Sequence, residues 1–239
     1  MSITGLSHYL LEHPIVTLLL ICHFVSDFHL QSQTVADRKD TDKVYLGIHL
    51  MGVAFPLLLV TIFVPSIWRV TLLLLFSHAI IDSGKPHVAK WFKWNTLAIF
   101  LIDQALHVSI IFLLARLTEG TMLPTMLAGE VLNSILFLLL ITKPTNVVFK
   151  LFFQKYQPQG TQKMDTIPGA GATIGHLERI VMSICIMFHQ FASIGLVFTA
   201  KSIARYNKIS ESPTFAEYYL IGSLFSILSV LVAAWICLF

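Results

Sequence analysis

The sequence predicts an all-α protein, a polytopic bundle of about seven membrane-spanning helices with its N-terminus outside and its C-terminus inside. Three observations predict it. Of the 239 residues, 56% are hydrophobic and only 12% are charged, with a mean hydropathy of +0.77. A soluble domain carries about 25% charged residues, so this chain lacks the polar surface to keep its apolar side chains in water. Apolar runs of the twenty or so residues needed to cross a hydrocarbon core recur along the chain. Lysine and arginine are also unevenly placed. With the N-terminus outside, the inner side collects Arg38, Lys39, Lys43, Lys85, Lys90, Lys93, Lys143, Lys150, Lys155, Lys163 and Arg179. The outer side holds only Arg69, Arg116, Lys201, Arg205 and Lys208, and that bias sets orientation.

The runs fall in order at 14–31, 44–64, 66–83, 95–117, 123–142, 174–200 and 217–238. No Lys or Arg precedes the first, and no small-residue cleavage site follows it, so it reads as a retained helix. The second and third meet at Pro65 in a tight turn. The fifth carries Glu130 and Asn133 near its start, which makes it the least regular. Ser83–Trp94 mixes Lys85, Lys90 and Lys93 with Trp91, Phe92 and Trp94, the composition of a headgroup-level segment. The longest break, 143–173, opens on Pro144, continues as an amphipathic piece through Tyr156, and ends in a Gly/Pro/Gln-rich run. Three regions follow: an N-terminal membrane half (1–142), a cytoplasmic linker (143–173) and a C-terminal membrane hairpin (174–239).

The net charge of +3 is small and scattered through loops, which leaves the lipid bilayer as partner and excludes nucleic acid. The sequence does not specify an oligomeric state. Cys22, Cys185 and Cys237 lie in apolar runs without a C-x-x-C spacing, so neither disulfides nor a thiolate metal site is expected.

The N-terminal half repeats one pattern. His23 and Asp27, His78 and Asp82, and Asp103 and His107 are each four residues apart, on one face of a helix. Ionisable groups in hydrocarbon are costly and usually functional. The alternating helix directions bring these pairs, with His49, to one level toward the inner side of the bilayer. Imidazole and carboxylate are the usual ligands of zinc, iron and manganese. The expected ligands of a divalent metal are therefore His23, Asp27, His49, His78, Asp82, Asp103 and His107. Four histidines and three aspartates suit two metals sharing a carboxylate, or one metal with an outer shell orienting the imidazoles. An unliganded Asp27 or Asp103 would serve as base. Lys85, one turn beyond Asp82, would contact an anion, with Lys39 a weaker candidate, and Gln31 and Gln104 would position substrate. His29, His87, His176 and His189 lack a spaced partner and read as interfacial or structural. In the C-terminal half, Glu178 and Arg179 form an ion pair or Arg179 meets a phosphate, while Lys201 and Arg205 place two cations on one face.

These residues resemble an uncharacterised family of bacterial inner-membrane proteins, a domain-of-unknown-function family. The resemblance rests on His23-x-x-x-Asp27-Phe28-x-Leu30-Gln31, His49, His78-x-x-x-Asp82-x-x-Lys85 and Asp103-Gln104-x-x-His107. It extends to Gly175-x-Leu-Glu178-Arg179, Ala200-Lys201-Ser202-x-Ala-Arg205 and Glu217-Tyr-Tyr-Leu-Ile-Gly222. It implies a multi-pass bacterial inner-membrane protein and brings no reaction with it. More loosely, the N-terminal half is similar to membrane-bound metal-dependent hydrolases. Arginine-bearing lipid phosphatase motifs, a His-Glu-x-x-His helix and a Gly-x-Ser-x-Gly elbow are all absent from the sequence.

Three functions are consistent with the pattern. The first is a metal-dependent hydrolase of a lipid-linked or amphipathic phosphate ester. The second is an ion- or proton-coupled transporter using the same residues as a relay. The third is a structural or partner-binding protein in which the polar groups bond helix to helix.

Overall fold

The computed structural model describes residues 5–92, 94–158 and 169–239, with Met126 described in its backbone only. Lys93, Lys163 and the core of the Gly/Pro/Gln-rich run lie outside the described residues. All regular structure among the described residues is helical. Six helices are long and apolar enough to cross a membrane, and a seventh span arises if the bent pair at the N-terminus is counted as one. The chain divides into two compact units, Met1–Leu136 and Phe137–Phe239.

The first unit opens with α1 (Leu6–Glu12), which meets α2 (Pro14–Phe24) at a bend of 104°. Pro14 causes it, since proline disfavours helix at the preceding residue and is itself suited to a first turn. The helical path of α2 continues through a π-helical segment, Val25–Leu30. After α3 (Gln33–Arg38) come the spans α4 (Lys43–Phe63), α5 (Trp68–Phe92) and α6 (Thr96–Ala115). The starts of α3, α4 and α6 are capped by short polar side chains. Ser32, Asp42 and Asn95 accept from the backbone N–H of Val35, Val44 and Ala98 at 3.3, 2.8 and 2.7 Å, satisfying otherwise orphaned donors. The turn predicted at Pro65 is a 3₁₀ turn, Pro65–Ile67.

α2 packs against α4 and α6, and α5 packs against the same two helices, closing a ring. Large apolar side chains cover its exterior, with Met51, Ile62 and Leu113 at 73, 70 and 61% exposure. The polar side chains lie within. This inversion of the soluble pattern is what a hydrocarbon solvent demands, because an unpaired polar group facing lipid is costly.

α7 (Gly129–Leu140) begins in the first unit, later than the expected 123, because a 3₁₀ turn at Thr125–Leu127 precedes it. The irregular Asn133 proves to be a brace. It is buried, its Nδ2 donates to the Ser7 carbonyl at 3.2 Å, and its Oδ1 accepts from Thr17 at 3.3 Å. Gly129 permits the approach of α7 to α1, since a Cβ there would lie 2.7 Å from the Leu11 carbonyl oxygen.

In the second unit, α8 (Lys143–Phe153) is the predicted amphipathic piece. The expected single span at 174–200 is instead two helices, α9 (Ala170–Met187) and α10 (Phe191–Ala204), folded back on each other. His189 makes the reversal, with a left-handed φ of 57°. The His189 and Gln190 N–H groups close on the Ile186 and Cys185 carbonyls, the usual way a helix ends on a left-handed residue. α10 has 14 residues, about 21 Å at 1.5 Å per residue, which is short of a bilayer core. After α11 (Tyr206–Glu211), α12 (Pro213–Cys237) packs on α8 and α9.

Candidate functional site

All seven expected ligands lie inside the four-helix ring. Exposures are 6% for His23, Asp27 and His78, 2% for His49, 1% for Asp82, 5% for Asp103 and 4% for His107. α2 supplies His23, the π-helical segment Asp27, α4 His49, α5 His78 and Asp82, and α6 Asp103 and His107. The wider π turn is a local irregularity of the kind concentrated at functional sites. It carries Asp27, which faces His23, His49, His78 and Gln104.

The closest contacts run between helices. Asp82 Oδ2 lies 2.9 Å from His49 Nε2, whereas it is 3.5 Å from His78 Nε2, its own four-residue partner. His23 Nδ1 is 3.9 Å from Asp27 Oδ2. Asp27 Oδ1 faces His78 Nε2 at 3.3 Å and His49 Nε2 at 3.7 Å. Asp82 Oδ1 lies 3.6 Å from His107 Nε2. The His78 and His107 rings stack at 4.0 Å with an interplanar angle of 3°. The four-residue spacing thus places the groups on the correct face, and the neighbouring helix supplies the nearest partner.

Three sets of donor atoms fall within 4.8 Å of one another: His23, Asp27 and His78; His49, His78 and Asp82; and Asp82, Asp103 and His107. His49 Nε2 and His78 Nε2 face each other at 3.1 Å, and two such nitrogens share at most one proton between them. Among the described residues, four buried atoms of this cluster, Asp27 Oδ1, Asp82 Oδ1, Asp103 Oδ1 and His107 Nε2, have no hydrogen-bond partner. A buried polar atom left without a partner costs about 1–3 kcal/mol. The donor set of nitrogen and carboxylate oxygen without sulfur therefore fits a divalent cation of the zinc, manganese or iron type.

Two lysines reach this cluster. Lys39, at the C-terminal end of α3, is buried, with its Nζ 3.1 Å from Asp82 Oδ2 and 3.2 Å from His49 Nε2. Lys85 Nζ lies 3.6 Å from Asp103 Oδ2 and 3.9 Å from Asp40 Oδ2. Gln104 is half-buried and faces the ligands themselves. Its Oε1 lies 3.3 Å from His23 Nε2, and its Nε2 donates toward Asp27 Oδ2 at 3.3 Å and Asp103 Oδ2 at 3.4 Å. Gln31, half-buried, ends the π-helical segment. A small pocket opens beside His23, His78 and His107, and its other walls are mostly apolar: Leu19, Val53, Leu57, Leu74 and Ile111.

The C-terminal candidates belong to the second unit. Among the described residues Glu178 pairs with Lys201 at 2.7 Å, not with its neighbour Arg179. Consecutive helical residues point about 100° apart, which is why the two separate. Arg179 is buried, donates to the Ile141 carbonyl and to that of Thr142, and holds Asn146 Oδ1 at 2.6 Å. Its guanidinium therefore caps the end of α7. His176 joins this group through Asn146 at 2.9 Å. Arg205 is the C-cap of α10.

No curated protein and no solved structure shows significant similarity to the chain. The family model described as "Protein of unknown function (DUF3307)" matches residues 15–136. That segment holds all seven clustered His and Asp residues with Lys39, Lys85, Gln31 and Gln104, and it ends before the C-terminal motifs, so the match does not reach as far as the resemblance drawn from the sequence. The match covers just over half of the 239 residues, and the chain belongs to this DUF3307 family.

Proposed function

We propose that this protein is a multi-pass membrane hydrolase of the bacterial inner membrane. It would depend on a divalent metal and cleave a lipid-linked or amphipathic phosphate ester at the cytoplasmic face. The observation that carries the reading is the convergence of imidazole and carboxylate donors from four separate spans, with buried polar atoms left unpaired among the described residues. The adjoining apolar pocket supports an amphipathic substrate, since a hydrocarbon tail lodged there would bring its headgroup to the histidines. The lysine and arginine bias of the first four spans supports an N-out arrangement that opens the site inward. The expected C-in end rests on 174–200 crossing as one span, which the α9–α10 hairpin removes.

A divalent metal held here would make bound water a good nucleophile near neutral pH and would polarise a phosphoryl oxygen. Gln104 orients Asp27, Asp103 and His23. Whichever of Asp27 and Asp103 is not engaged as a ligand accepts the proton of the attacking water. Lys85, beside Asp103 and 17% exposed in its side chain, is the cation best placed to meet an anionic headgroup from the site's edge.

The purified protein is expected to release phosphate from polyprenyl or diacylglyceryl phosphates in mixed micelles. Chelation should abolish the activity, added Mn(II) or Zn(II) should restore it, and His78→Ala should lower it by about 10³-fold or more. Activity unaffected by chelator and by His78→Ala would reject the reading. Gradient-driven flux in proteoliposomes without turnover would replace it with the transporter.

A further inference from the structure

We propose that the cluster contains two cation positions sharing the Asp82 carboxylate, and that the Lys39 ammonium holds one of them, so that the second cation loads only when Lys39 withdraws. The inference rests on the metal reading above and adds its stoichiometry and its control.

The two oxygens of Asp82 face different partners. Oδ2 turns toward His49 and His78, at 2.9 and 3.5 Å, where Asp27 Oδ1 also points. Oδ1 turns toward His107 at 3.6 Å, on the side where Asp103 completes a set of donors. A carboxylate whose oxygens address two donor sets is the bridging element of two-metal sites, whose ions stand about 3.5–4 Å apart. The parallel stack of His78 on His107 holds one imidazole from each side next to the other.

The two sides differ in how they are satisfied. Toward Asp103 and His107, Asp82 Oδ1, Asp103 Oδ1 and His107 Nε2 are buried without a hydrogen-bond partner among the described residues, as is Asp27 Oδ1 on the other side. The ammonium nearest to this position, Lys85, approaches only the other Asp103 oxygen, at 3.6 Å. Toward His49, Lys39 Nζ touches both Asp82 Oδ2 at 3.1 Å and His49 Nε2 at 3.2 Å, standing where a cation would meet those ligands. An ammonium and a divalent cation cannot share that place, since like charges at such distances repel strongly in a buried setting. Lys39 follows the six-residue α3 and precedes α4. Its side chain reaches the site from a connection and not from a spanning helix, so withdrawing it moves no helix of the ring. The Asp103–His107 position therefore fills first, and the His49–His78 position fills in competition with Lys39.

The test is a Mn(II) titration of the chelator-stripped full-length protein in detergent, followed by electron paramagnetic resonance and elemental analysis. The wild type should bind one Mn(II) tightly and a second about a hundredfold or more weaker. Lys39→Met should bind two with affinities within about tenfold and show the spectrum of an exchange-coupled Mn pair. Lys39→Arg, which keeps the charge, should not bind the pair with comparable affinity. Asp103→Asn tests the order of filling without touching Lys39: it should lose the tight site and keep the weak one. One Mn(II) in both wild type and Lys39→Met, or two of equal affinity in the wild type, would overturn the proposal while leaving the metal reading intact. So would a tight site that survives Asp103→Asn. No Mn(II) in any protein would overturn both.

Discussion

Asp82→Asn is expected to produce the largest change of any single substitution in the first unit, losing bound metal and about 3–5 kcal/mol of stability together. The reason lies in what Asp82 touches. Its side chain has no solvent exposure and meets Lys39 at 3.1 Å, His49 at 2.9 Å, His78 at 3.5 Å and His107 at 3.6 Å. An asparagine keeps the shape and removes the charge. The buried Lys39 ammonium then loses the one carboxylate it touches, and breaking a buried pair by removing one partner is far more costly than the pair itself. Unfolding of the detergent-solubilised protein, with metal content measured on the same sample, checks this. Lys39→Met combined with Asp82→Asn should recover much of the stability, because both charges are gone, yet recover none of the metal. Stability and metal content equal to wild type in the single variant would remove Asp82 from the centre of the account.

Arg179→Met is expected to have the largest effect in the second unit, a loss of about 2–4 kcal/mol with metal content per folded protein unchanged. Methionine fills much of the same volume but donates nothing. The Ile141 carbonyl and Asn146 Oδ1 lose the guanidinium that pairs them, and each acceptor so orphaned costs about 1–3 kcal/mol. Arg179→Lys should not rescue it fully, because an ammonium cannot span the same acceptors as a planar fork. Thermal unfolding read alongside metal content separates the outcomes. Unaltered stability would contradict the capping role, and a loss of metal from folded protein would mean that the second unit contributes to the site.

The helical class and the seven clustered residues were legible because both rest on strong local signals. A run of twenty apolar residues has one main use, and His and Asp four apart inside such runs are too costly to be incidental. What was not legible depends on geometry that composition does not record. Hydropathy reads 174–200 as continuous, but the left-handed backbone of His189 splits it into a hairpin. A histidine tolerates that conformation better than most non-glycine residues, and nothing in its neighbours announces the turn. Lys39 lies in a stretch of mixed charge, Asp37 to Lys43, where any lysine looks like a topological signal. The sequence offers it only as a weaker anion contact than Lys85, and the fold places its ammonium against Asp82 and His49. Arg179 was visible as an unusual charge, but its partners are mainly backbone carbonyls, which carry no residue-specific signature.

The central claim is that donors from four spans hold a divalent cation inside the bundle. X-ray absorption at the metal edge of the purified wild-type protein tests it most directly. The account predicts a first shell of nitrogen and oxygen at about 2.0–2.2 Å with imidazole outer-shell scattering and no sulfur, lost in Asp82→Asn. A protein that retains no metal after purification in metal-supplied medium, or one whose metal carries sulfur ligands, would contradict it.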